Sequence, residues 1–163
     1  MGLEVNVDSK ANIYVTGYTE GGLDGKTNSG EKDIFLVKYN SSGTKQWTQQ
    51  LGTPTFDEGN GVAVDSSDNI YVSGWTRGKL DTYAGGDDAI VIKYNSSGTK
   101  QWTRQFGSNS SDIGAGVTVD SSGNIYVTGN TFGGLDGNTN SGKCYGFPQH
   151  CSKDIFLVKY NSM

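Results

Sequence analysis

Gly116–Asn130, GVTVDSSGNIYVTGN, followed at Asp154–Tyr160 by DIFLVKY, decides the fold because the same two runs occur upstream with the same punctuation. Asp8, Asp65 and Asp120 mark equivalent positions in three copies, and Trp47 and Trp102 do so in two. The period is about 55 residues, close to that of propeller blades and related arrays. Within a copy, a short apolar run such as Val117-Thr118-Val119 and a β-branched and aromatic run such as Ile125-Tyr126-Val127 read as strands A and B. After a Gly-rich loop, DIFLVKY reads as strand C. Its Ile and Leu point one way and its Phe, Val and Tyr the other, so the sheet needs cover on both faces. A more polar run with one large anchor, Trp47 or Trp102, reads as an outer strand D.

The expected fold class is therefore all-β, built of four-stranded antiparallel β-propeller blades. The last blade is three-stranded, because no third strand D follows Tyr160. Blade 1 covers about 3–52, blade 2 about 60–107 and blade 3 about 115–163, with an insertion at 143–153 that the other copies lack. The 163 residues include 25 Gly and are 33% hydrophobic, which suits short strands and tight turns. A net charge of −4 supplies no basic stripe for nucleic acid. No apolar run approaches the roughly 20 residues of a membrane span. The start, MGLEVNVDSK, lacks the features of a signal peptide. A repeat is already under way at each end, which predicts a fragment of a longer array or an engineered chain.

Gly59–Thr76 (GNGVAVDSSDNIYVSGWT), Gly114–Thr131 (GAGVTVDSSGNIYVTGNT), DIFLVKY and Lys93–Gly107 (KYNSSGTKQWTRQFG) together resemble the SBBP family of β-propeller repeats. The resemblance implies a bacterial surface or secreted protein, hence an extracellular or cell-surface location. The strand order A to D from hub to rim is similar to that of NHL propellers. Three blades leave two apolar faces open. Two chains arranged head to tail would close a six-bladed ring. Three would give nine blades, above the usual four to eight. The expected partner is therefore a second copy, in a head-to-tail homodimer, alongside an unknown protein or glycan.

The A–B and C–D turns, Asp65–Asn69, Asp120–Asn124, Asn40–Gly43 and Asn95–Gly98, are uniform and carry turn chemistry. The B–C and D–A loops vary, and variable loops on a rigid scaffold are where binding resides. Their face is rich in carboxylates. Neighbouring pairs such as Asp57 with Glu58 and Asp87 with Asp88 are expected to stay solvated and ionised, with no environment to part them into acid and base. Candidate ligand-binding residues are Trp75, which stands where the other copies have Tyr18 and Asn130, together with Tyr83, Asp57 and Asp112. Tyr145, Phe147 and His150 of the insertion join them.

Asp136-Gly137-Asn138-Thr139-Asn140 places oxygen donors at alternate positions, so Asp136, Asn138 and Asn140 are the candidate calcium ligands. A loop held by Asx turns is the competing reading, and no other cofactor is expected. Cys144 and Cys151 read as a disulfide closing a hairpin in an oxidising compartment. A metal set with His150, or two free thiols, are the alternatives. The single histidine lies in the insertion, so no catalytic constellation is supported. The sequence thus points to a non-enzymatic extracellular binding module. The alternative is a self-assembling propeller fragment, or a designed chain that displays the Cys144–Cys151 loop.

Overall fold

The computed structural model describes residues 1–135, 137–140, 144–145 and 150–161, with the backbone alone at 144, 145, 150 and 151. Thirteen strands form, and no helix occurs among the described residues. The first sheet pairs β1 (Gly2–Val7), β2 (Ile13–Thr19), β3 (Asp33–Tyr39) and β4 (Lys45–Leu51) in that order. The second pairs β5 (Asp57–Val64), β6 (Ile70–Thr76), β7 (Asp88–Tyr94) and β8 (Lys100–Phe106). The third holds β9 (Asp112–Val119), β10 (Ile125–Thr131) and β13 (Asp154–Tyr160), and the short hairpin β11 (Cys144–Tyr145) with β12 (His150–Cys151) rises from its loop. All neighbours are antiparallel, so these are up-and-down propeller blades of four, four and three strands.

Strands β5 and β9 open at Asp57 and Asp112, ahead of the starts near 60 and 115 that the pattern predicts. Glycines give little strand signal, yet the ladder continues through them by way of a register shift at Gly59/Gly61. β1 packs on β5 and β5 on β9, whereas β4 and β8 make no comparable contact. The A strands therefore converge on the hub and the D strands splay at the rim.

Apolar residues on both sides of each blade fill two seams. In the first, Tyr14, Ile34 and Leu36 meet Val62, Ile70, Val72, Ile90 and Ile92. In the second, Tyr71, Ala89 and Val91 meet Ile125, Val127 and Phe156. β7 shows the demand for two-sided cover most clearly, since Ile90, Val91 and Ile92 are all fully buried. Each such side chain contributes about 1.5–3 kcal/mol of burial. Trp47 and Trp102 close the seams near the rim by tilting over Tyr14 and Tyr71, at ring separations of 6.3 and 6.2 Å.

The uniform turns repeat atom for atom. Asp65 Oδ1 accepts the amides of Ser67 and Asn69 while its Oδ2 accepts Asn69 Nδ2 and Tyr71 Oη, the last at 3.0 Å. Asp8 and Asp120 accept the same four bonds in their copies. At Asp120 the bonds from Asn124, Tyr126 and Ser122 hold the carboxyl down to about 2. Each tyrosine of the B strand is thus tied to the turn that precedes it.

Candidate functional site

The opposite ends of the strands carry a second repeated device. In Gly52-Thr53-Pro54-Thr55-Phe56-Asp57 the amide and hydroxyl of Thr53 both donate to Asp57 Oδ2, at 2.6 and 2.9 Å, and Thr76 Oγ1 donates to Oδ1. In Gly107-Ser108-Asn109-Ser110-Ser111-Asp112 the amide and hydroxyl of Ser108 bind Asp112 Oδ2 at the same distances. The amides of Asp57 and Asp112 then donate to the carbonyls of Lys32 and Asp87 in the preceding blade, at 2.9 and 2.6 Å. The D–A connection is thereby stitched across the seam.

Asp33 and Asp88, which begin the C strands, complete the device. Asp33 accepts the Ser29 amide and Gln50 Nε2, and Asp88 accepts the Ala84 amide and Gln105 Nε2. Gln50 Oε1 accepts the Leu23 amide, and Gln105 Oε1 those of Leu80 and Asp81. A glutamine from strand D thus fastens the B–C loop to its blade. Asp33, Asp57, Asp88 and Asp112 are all fully buried, which corrects the expectation that the loop carboxylates are solvated. Backbone amides stand in for water at one oxygen of each, joined by hydroxyls at Asp57 and Asp112 and by glutamine amides at Asp33 and Asp88. Oδ1 of Asp33, Asp88 and Asp112 is buried with no hydrogen-bond partner among the described residues. Among the described residues none of the four is paired with a lysine or arginine. Burial pushes the Asp57 carboxyl up, the bonds from Thr76 and Thr53 oppose it, and the neighbouring Asp33 charge adds to the rise. Asp57 and Asp112, expected to meet a ligand, are thus set in the seam rather than on the surface.

What the loop end does present is a strip of aromatic rings interleaved with cations. Lys32 Nζ lies 3.9 Å from the centroid of the Tyr18 ring and 5.9 Å from that of Phe56. Arg77 covers Phe56 at 5.1 Å and Trp75 at 5.9 Å. Lys153 repeats the arrangement over Phe132 at 5.3 Å in the third blade. Each cation over a ring contributes about 0.5–1 kcal/mol at an exposed site. Two carboxylates fix the cations. Glu58 accepts Lys32 Nζ at 2.7 Å, and Asp87 accepts Arg77 Nε at 2.7 Å and, more weakly, its second nitrogen at 3.4 Å. The Glu58 bond raises the Lys32 ammonium, and the Asp87 bond raises the Arg77 guanidinium. Beside the strip, Glu20, Gly30, Glu31, Lys32, Pro54 and Phe56 line an open cleft of about 540 Å³.

Trp75, a sequence candidate, lies half-buried within this strip. Tyr83 is 47% exposed on the second B–C loop, its hydroxyl bonded to the Gly86 carbonyl. The backbone of the insertion sets Tyr145 opposite His150 and Cys144 opposite Cys151. Phe147 and Asp136 lie outside the described residues. Asn138 donates to the Leu135 carbonyl and Asn140 to that of Thr131, so both amides serve the loop's own backbone. No acidic, histidine or cysteine cluster suited to a metal occurs among the described residues. In the first copy Asp24, the counterpart of Asp136, is bonded to Lys45 and Thr48. Tyr18, Lys32, Phe56 and Arg77 escaped the sequence reading. The repeated pattern Gly, Thr or Ser, any, Thr or Ser, any, Asp at 52–57 and 107–112 was the available signal for the buried device beneath them.

Residues 46–80 and 101–136 match the family model of the SBBP β-propeller repeat. Each matched stretch begins in a D strand and ends in the next B–C loop, so it straddles a blade seam and contains the stitched connection. The chain is 24% identical over 204 residues to the uncharacterized WD repeat-containing protein L264 of Acanthamoeba polyphaga mimivirus, covering 98% of this chain and 15% of that protein. It is 27% identical over 156 residues to the regulatory protein FlaEY of Caulobacter vibrioides, covering 86% of this chain and 16% of that protein. The chain thus spans less than a fifth of the length of either relative. The seams, the blade topology and the matched segments agree: residues 46–80 and 101–136 are two SBBP-type β-propeller repeats set within propeller blades.

Proposed function

We propose that the protein is a non-enzymatic recognition module that binds a protein or glycan across the loop end of its blades, at the cell surface or outside the cell. The observation that carries this reading is the strip from Tyr18 and Lys32 through Phe56 to Trp75 and Arg77. Half-buried rings offer apolar faces at little cost in side-chain entropy, and the fixed cations and carboxylates supply directional bonds. The glutamine staples hold the flanking loops, so the surface is largely formed before a ligand arrives. Phe132 and Lys153 extend it into the third blade, where the hairpin bearing Cys144 and Cys151 stands. In this reading a disulfide between them stiffens the hairpin for contact. Calcium at the Asp136 loop would play no part in recognition by the strip.

A glycan array and a displayed-peptide library, probed in parallel with the 163-residue chain and with its Trp75→Ala and Phe56→Ala variants, test the proposal. Ligands retained by the wild type and weakened by about tenfold or more in both variants support it, in line with the loss of a central aromatic contact. Ligands bound equally well by all three proteins would remove the strip from recognition.

A further inference from the structure

The two end faces of the array are the two halves of a seam that the molecule already builds twice. Ile155 and Leu157 on β13 are 91% and 70% exposed. Their counterparts, Ile34 and Leu36 on β3 and Ala89 and Val91 on β7, are at most 1% exposed because the next blade covers them. At the other end, Val5 and Val7 on β1 are 56% and 54% exposed. Their counterpart Val62 on β5 is 3% exposed in the first seam, and Val64 packs against the same cluster. The faces flanking these residues are also in register: Ile13, Val15 and Val37 occupy the places of Ile70, Val72 and Ile92.

A surface that fits the face of β13 is therefore already known from this chain, and it is the face of β1. We propose that a second copy docks head to tail, the β10–β13 face of each protomer on the β1–β2 face of the other, giving two equivalent seams about a twofold axis. This surface is separate from the loop-end strip, and the proposal stands or falls without it.

Light scattering coupled to size exclusion tests the proposal across a wide range of protein concentration, with Leu157→Asp and Val5→Asp as variants. Both positions are exposed within one protomer, so circular dichroism should report intact blades in each. The wild type is expected at twice the 17.4 kDa chain mass. Each variant should raise the dimer dissociation constant by about 100-fold, since a carboxylate would be buried without a partner. Trp75→Ala should leave the dimer intact. A wild type that stays monomeric overturns the proposal and hands the end faces to further blades or to another protein. So does a dimer that Leu157→Asp disrupts and Val5→Asp does not, because that pattern belongs to edge pairing along β13. Mass that keeps growing with concentration would show a contact that does not close, and would overturn it as well.

Discussion

Asp88 and Asp112 converge on the backbone of Gly107: a Cβ there would sit inside contact distance of Asp88 Oδ1 and within 2.9 Å of Asp112 Oδ2. The two carboxylates begin strands of neighbouring blades, so this glycine lets the seam shut around them. Gly52 faces Asp33 in the same way in the first seam.

Gly107→Ala should therefore destabilise the fold by about 2–4 kcal/mol, since neither carboxylate can retreat without breaking the bonds from Gln105 and Ser108. Gly116→Ala is the control, because its Cβ would meet only Thr128 Cγ2 at 3.5 Å. Urea unfolding should place the control within about 1 kcal/mol of the wild type. Equal losses in both variants would dismiss the convergence as a determinant of stability.

Ala11 adopts φ 60° in the first A–B turn, where the third copy has Gly123 at φ 80°. A Cβ in this left-handed region costs about 1 kcal/mol or more. Ala11→Gly should gain about 0.5–1 kcal/mol, because relief of that strain outweighs the added chain entropy. A higher urea midpoint at unchanged slope is the expected readout, and a lower midpoint would contradict it.

Gln105→Ala should free the second B–C loop. The substitution leaves the amides of Leu80 and Asp81 without an acceptor and takes one donor from buried Asp88, a loss of about 1–3 kcal/mol. Amide hydrogen exchange should accelerate at Leu80 and Asp81 while remaining slow in β6. If protection at these amides survives, the glutamine does not hold the loop.

Asp120 makes the fold acid-sensitive. Folding depresses its pKa from 3.8 to about 2 through bonds from Asn124, Tyr126 and Ser122. Its stabilisation is complete above the unfolded value and disappears as pH falls from about 4 towards 2. Asp57 has the opposite sign: burial raises its pKa, so its contribution is greatest at low pH and declines as pH rises through the folded value. Melting temperatures measured down to pH 2 should fall less steeply for Asp120→Asn than for the wild type. Identical slopes would remove this turn from the acid response.

Much of the blade was legible in the chain because its causes are local. Alternating apolar residues in DIFLVKY, β-branched runs and Asx turns each act over a few neighbouring positions, and the recurrence of Asp8, Asp65 and Asp120 multiplies the signal. The candidate site was less legible. Trp75 stood out because its counterparts differ, but Phe56 and Lys32 come from different copies of the repeat and gain meaning only when a seam brings them together.

The sequence by itself determined the all-β class, the repeat period, the strand order and the turns, since hydrophobic spacing and turn chemistry dictate backbone conformation directly. Only the tertiary structure decided the fate of the loop carboxylates. Charge and hydrophilicity place Asp57, Asp88 and Asp112 on the surface, yet all three are fully buried. The donors that make burial tolerable, Thr53, Gln105 and Ser108, are assembled across strands and connections, and no local pattern of apolar and polar residues records that assembly.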